Sequence, residues 1–153
     1  MIKRLAFNLG ILSFLFTFSA QISLGKDFFV YVSPDPIGVN AFLQMGKTGT
    51  EAAAKKFGAD VQTYESSTAA ARRENVEAAL NEGATLIVLL GFEFNDIVNE
   101  LAPTAPDVQF LIVDQCIQNQ PPNVHCAVFR EYEASYLVGI AAGMMTKTNK
   151  IGV

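Results

Sequence analysis

Asp35, Asn40 and Phe42 fall within one short stretch, "FVYVSPDPIGVNAF", residues 29–42. A carboxylate, an amide and an aromatic ring so close together do not make a catalyst. They can hold a flat, hydroxylated molecule, because the ring stacks on it while Asp and Asn accept from hydroxyl or ring N–H groups. Three other short stretches repeat the mix: Gly91-Phe92-Glu93-Phe94, Asp114-Gln115 and Phe129-Arg130-Glu131. Bond-breaking chemistry has little to draw on. His125 is the only histidine, and neither a G-x-S-x-G elbow nor a G-x-x-x-x-G-K-[ST] loop is present. Lys47-Thr48 has only Gly46 close before it and falls inside a helical pattern.

These residues share a site only if the fold gathers them. Residues 27–33 read as a strand. Phe42, Met45, Gly49, Ala52, Ala53 and Phe57 recur at helical spacing, and Gly58 suits a C-cap. Residues 60–65 alternate as a short strand, and Ser66-Ser67-Thr68 opens a second helix with Ala69, Val76, Ala79 and Leu80 inward, ended by Gly83. Residues 85–90 are continuously apolar, as in a parallel strand covered on both faces. Asn95 is placed to cap a short helix that Pro103 stops. Residues 108–113 and 123–129 read as two more strands, and 131–145 as a helix rich in small residues, expected to pack closely on a sheet. Lys150-Ile151-Gly152-Val153 starts a sixth strand, which suggests a chain cut before a second half.

The alternation predicts an α/β fold, three layers α/β/α around a mostly parallel sheet with right-handed crossovers. Ligands of open α/β sheets sit beyond the carboxyl ends of the strands. That edge would carry Ser33, Asp35, Asn40 and Phe42 after the first strand, Gly91, Phe92 and Phe94 after the third, Asp114 after the fourth, and Phe129, Arg130 and Glu131 after the fifth. Each also has a purely structural reading. Asp35 can be a turn residue, Phe42 core, one of Phe92 and Phe94 buried, Asp114 a cap, and Glu131 an acid favoured by the helix dipole. Pro34 and Pro36 stiffen the first loop, so binding there orders little.

Residues 1–25 stand apart. A cationic start, an apolar run from Leu5 to Ala20, and Ser23-Leu24-Gly25 before Lys26 read as a secretory signal peptide, with an uncleaved membrane anchor as the alternative, so the mature chain is expected in the periplasm. In that compartment Cys116 and Cys126, ten positions apart, read as a disulfide, with two free buried thiols as the alternative. With His125 they are too few ligands for a metal site. A net charge of −4 without a basic run speaks against nucleic acid, and the pairs Lys55-Lys56 and Arg72-Arg73 read as solvated helix faces. No cofactor is expected.

Taken in order, several segments resemble the basic membrane protein family of solute-binding proteins for ABC transporters. They are the acid-bearing loop after strand one, Ala41-Phe42-Leu43-Gln44, "ALNEGATLIVLLGFEF", "APDVQFLIVD" and "NVHCAVFREYEASYLVGIAAGMM". The resemblance covers about residues 32–153. It implies the type 1 periplasmic binding fold, with residues 26–153 as the N-terminal ligand-binding lobe. It further implies an ABC permease as partner and a nucleoside or purine-like ligand, with Phe42 stacking on the base, Asp35 and Asp114 holding base or ribose groups, and Gln44 in the motif beside Phe42. The family's segment is Ser-Phe-Asn-Gln-like, and its Ser and Asn positions are Ala41 and Leu43 here. A sugar ligand in the same fold is the second reading. An exported α/β enzyme whose catalytic residues lie in a missing half is the third.

Overall fold

The computed structural model describes residues 26–152, so the signal-peptide reading of 1–25 lies outside the described residues. Five parallel strands form one sheet in the order β2-β1-β3-β4-β5. They are β1 (Phe28–Ser33), β2 (Asp60–Glu65), β3 (Leu86–Leu90), β4 (Gln109–Val113) and β5 (Val124–Ala127). The central strands explain their continuous apolar runs: Ile87 and Leu89 are buried on one face of β3, Val88 and Leu90 on the other. β2 is an edge strand that does not alternate in burial: Asp60 to Gln62 and Glu65 are exposed, and only Thr63 and Tyr64 are half-buried.

Helix α1 (Ala41–Phe57) covers one face, while α2 (Ala69–Asn81) and α3 (Asn95–Leu101) cover the other. The second face holds the larger core, built on Val30, Val32, Phe94, Phe110 and Ile112. Burying each such side chain fully stabilises by about 1.5–3 kcal/mol. Caps set the helix ends. The Asn40 side chain accepts from the Phe42 and Leu43 amides, Thr68 accepts from Ala71, and Gly58 closes α1 at φ 71°. Arg73 ties α2 to α3 by donating to both Glu100 oxygens at 2.7 and 2.6 Å.

Four sequence expectations need correction. The buried face of α1 is Leu43, Gly46, Thr50 and Ala54, one step round from the predicted stripe, and Met45 and Phe57 are exposed. Gly46 sets this packing. A Cβ there would lie 2.8 Å from a Leu90 methyl and 2.9 Å from the Tyr31 hydroxyl, so α1 approaches the sheet closely. Gly46→Ala is therefore expected to destabilise by about 1–3 kcal/mol through overpacking, read as a lowered midpoint in urea unfolding. Asn95 is the first residue of α3 rather than its cap, because a 3-10 turn over Phe92–Phe94 leads straight into the helix. Helix α4 (Glu131–Met145) forms as expected but packs on no sheet: it has no buried residue, and Tyr136, Leu137 and Met144 stand in solvent. Lys150 to Gly152 is not a strand here, since no neighbouring strand pairs with it.

Candidate functional site

All five strands are parallel, so Ser33, Leu90, Val113 and Ala127 end at one edge, and the loops after them form its rim. The first loop is tightly held. Ser33 is buried and donates to the Asp35 carbonyl at 2.7 Å, and the Ile37 amide donates to Glu65 Oε2 at 2.9 Å. Arg72 of α2 donates from Nε to the Pro34 carbonyl at 2.8 Å and from Nη2 to Asp35 Oδ1 at 3.2 Å. Asp35 thus stays exposed but has a cation partner on one oxygen. Arg72 and Glu65 were missed by sequence reasoning. Arg72 is not on a solvated face: only 19% of its side chain is exposed.

The helix start is divided between structure and exposure. Asn40 spends its side-chain oxygen on the cap. Gln44 donates to the Gly38 carbonyl at 2.6 Å and so braces the loop. Phe42 remains 36% exposed at the rim. After β3, Gly91 turns the chain at φ 90°, and Glu93 folds back over it. Phe92 is left 71% exposed, whereas Phe94 is wholly buried with Val76 and Val98. Phe94 is therefore core and leaves the list of candidate ligand contacts. The sequence signal was ambiguous because both rings flank one glutamate, and the 3-10 turn sends them in opposite directions.

Asp114 ends β4 in the left-handed region, φ 72°, its amide donating to the Ala127 carbonyl at 2.8 Å. Its carboxyl is pushed up from the ordinary aspartate range. Partial desolvation of this exposed side chain contributes most, followed by a hydrogen bond to, and repulsion from, the Glu131 carboxyl at the start of α4. A raised value in the fold means that the native state binds the proton more tightly. Stability is then lost as pH rises through the window from the ordinary value to the raised one. Asp114→Asn should remove that slope, read as a flatter unfolding midpoint between pH 3 and pH 7, about neutral in size elsewhere because the group is largely exposed.

The Cys116–Cys126 disulfide is present, with the Cα atoms 5.3 Å apart, and it closes the loop between β4 and β5. Loop entropy makes it worth about 3 kcal/mol. Beside this rim lies an apolar groove of about 290 Å³ along the sheet face that α1 leaves open, floored by Val88, Leu90, Leu111 and Val113. Phe42 and Phe129 line its mouth, but Thr50 is the one polar side chain that borders it, and Thr50 donates to the Gly46 carbonyl. Orientation of a polar ligand needs groups that the rim has and the groove lacks. Among the described residues no His, Cys, Asp and Glu cluster could hold a metal ion, and no helix is long and apolar enough to cross a membrane.

An all-parallel sheet with acids and exposed rings gathered at its carboxyl edge, flanked by helices on both faces, has the form of a lobe of a solute-binding protein. A structure of an ABC transporter solute-binding protein from Aeropyrum pernix K1 matches at a TM-score of 0.67 and 29% identity, over 78% of this chain and 32% of that one. The chain belongs to the Bmp family, ABC transporter substrate-binding protein PnrA-like, whose family model matches residues 28–153. Relatives include a CD4+ T-cell-stimulating antigen of Listeria monocytogenes, 34% identical over 83% of this chain and 37% of its own length. Another is the ABC transporter nucleoside-binding protein BmpA of Lactococcus lactis, 36% identical over 77% of this chain and 35% of its own. The chain thus spans about a third of the length of these relatives.

Proposed function

We propose that this chain is the first lobe of an exported binding protein that delivers a nucleoside or purine-like molecule to an ABC permease. The observation that carries the reading is the carboxyl edge, where exposed Phe42 and Phe92 stand with Asp35, Asp114 and Glu131. A nucleoside offers a flat base and a ribose diol, and this rim supplies ring faces for the first and acceptors for the second. The likeness to a nucleoside-binding relative in Lactococcus lactis supports the same ligand class. The Gly91 turn exposes Phe92, while the first loop, held by Arg72 and Glu65, costs little ordering on binding. Export through the 1–25 leader would place the chain in the periplasm, where the disulfide persists.

Binding, in this reading, needs a second lobe to close over the exposed face of the ligand, and the greater length of the relatives is consistent with one. Nothing in the site calls for a catalytic group. The test is calorimetric titration of the two-lobed protein with purine nucleosides, free purines and simple sugars. Nucleoside binding at micromolar or tighter affinity supports the reading. Binding of a sugar with no nucleoside binding replaces it with the sugar reading. Affinity should also fall on acidification earlier than an ordinary aspartate would dictate, because Asp114 takes up its proton at a raised pH and then accepts fewer hydrogen bonds.

A further inference from the structure

The loop after β1 is pinned almost wholly through its backbone. The Ser33 hydroxyl donates to the Asp35 carbonyl, the Ile37 amide to Glu65, the Asn40 amide to the Ile37 carbonyl, and the Gln44 side chain to the Gly38 carbonyl. Pro34 and Pro36 have fixed φ angles, and each restricts the residue before it to extended backbone. None of these ties reaches the Asp35 carboxylate. That side chain is 57% exposed, and an acid so placed ordinarily samples several rotamers. Among the described residues only Arg72 donates to it, from Nη2 to Oδ1 at 3.2 Å, while Nε of the same guanidinium donates to the Pro34 carbonyl at 2.8 Å. Arg72 is itself well seated. It lies four residues before Val76 and seven before Ala79, the buried residues of α2, so it leaves the helix on the side that faces the sheet. Asn75 donates to the Glu65 carbonyl and the Ser66 hydroxyl, which holds the first turns of α2 on the end of β2, and β2 pairs with β1 as far as Ser33 and Glu65.

We propose that Arg72 is a positioning residue for the binding edge: its guanidinium fork, one arm on the Pro34 carbonyl and the other on Asp35, sets the direction in which the Asp35 carboxylate meets a ligand. The fork requires arginine. Nε and Nη2 lie in one rigid plane, so fixing the first on the backbone aims the second. A lysine ammonium is a single point of charge and serves one acceptor without orienting the other. Asp35 Oδ2 takes no hydrogen bond from the described residues, and it is the acceptor left for a ligand hydroxyl or ring N–H. Without the fork, the backbone ties keep the loop in place and the carboxylate turns freely, so the rotamer entropy removed by Arg72 would instead be lost on binding. The consequence for affinity rests on the reading of this rim as a nucleoside site. The orientation of Asp35 does not, since it belongs to the protein without ligand.

Arg72→Met and Arg72→Lys are compared with the parent full-length protein. NMR couplings to the Asp35 Hβ protons report its χ1 distribution without ligand, and β1 and β3 amide shifts record an intact sheet. The parent should hold one χ1 rotamer and both variants should average over several, with the β1 and β3 shifts unchanged. Averaging already present in the parent, or one rotamer kept in either variant, overturns the proposal. Should Arg72→Met not fold, Arg72→Lys, which keeps the charge and the stem, decides alone. Calorimetric titration with adenosine and guanosine then reads the consequence. Arg72→Lys and Asp35→Ala should each weaken nucleoside binding by about tenfold, and the double variant by no more than Asp35→Ala alone. Additive losses would show that Arg72 acts by a route other than Asp35 and overturn the proposal as well. An arginine that only braced the fold would lower the urea midpoint and leave the Asp35 rotamer as it was. If neither nucleoside binds the parent, the nucleoside reading falls, and the couplings still decide whether Arg72 positions Asp35.

Discussion

On the function proposed above, the 153-residue chain alone is expected to hold a purine nucleoside only at about millimolar affinity or weaker, where a two-lobed protein would hold it at about micromolar or tighter. The rim is one-sided. Phe42, Phe92, Asp114 and Glu131 face open solvent, and nothing in the described elements covers a ligand resting on them. A lone lobe makes roughly half the contacts. The cost of lost translational and rotational freedom is the same in either case, so the net free energy falls by far more than half. Three decades of affinity correspond to about 4 kcal/mol. Calorimetry on the chain and on the two-lobed protein decides it. Micromolar binding by the chain alone would mean that the site is complete within this lobe.

Asp114→Ala in the two-lobed protein is expected to weaken nucleoside binding by about 1–3 kcal/mol, the cost of leaving a ligand donor unpaired. Asp114 is the better choice for this test than Asp35, which already has Arg72 on one oxygen. The fold should survive, because Asp114 contributes no buried side chain and the strand hydrogen bonds run through its backbone. An unchanged affinity would reduce Asp114 to a turn residue.

How much of this was legible in the sequence differs from element to element. Strand β3 was plain because a run covered on both faces must be apolar throughout. Glycine gave away the ends of α1 and α2, where Gly58 and Gly83 take positive φ. The inward side of α1 was misjudged for a physical reason: Ala54 and Thr50 are its deepest positions and Gly46 its close approach to the sheet, small or polar residues that do not advertise burial, while Met45 and Phe57 do and are exposed. The apolar character of α4 was readable, but its packing was not, since a helix needs a partner surface and the described elements supply none. At the site, the order of acids and aromatics could be placed on one edge from the strand pattern alone. The Arg72–Asp35 and Glu65–Ile37 contacts could not, because they join residues far apart in sequence. The outward turn of Phe92 against the burial of Phe94 depends on a 3-10 turn that no periodicity announces.

On the function proposed above, the carboxyl edge stacks a base on an exposed aromatic ring. Calorimetric titration of the two-lobed protein and its Phe42→Ala variant with the same purine nucleoside, with ribose as a second titrant, tests it most directly. Losing a stacked ring should weaken nucleoside binding by about 1–3 kcal/mol, the range measured for base–aromatic stacking, and leave ribose binding little changed. Equal nucleoside affinity in the two proteins would contradict the account.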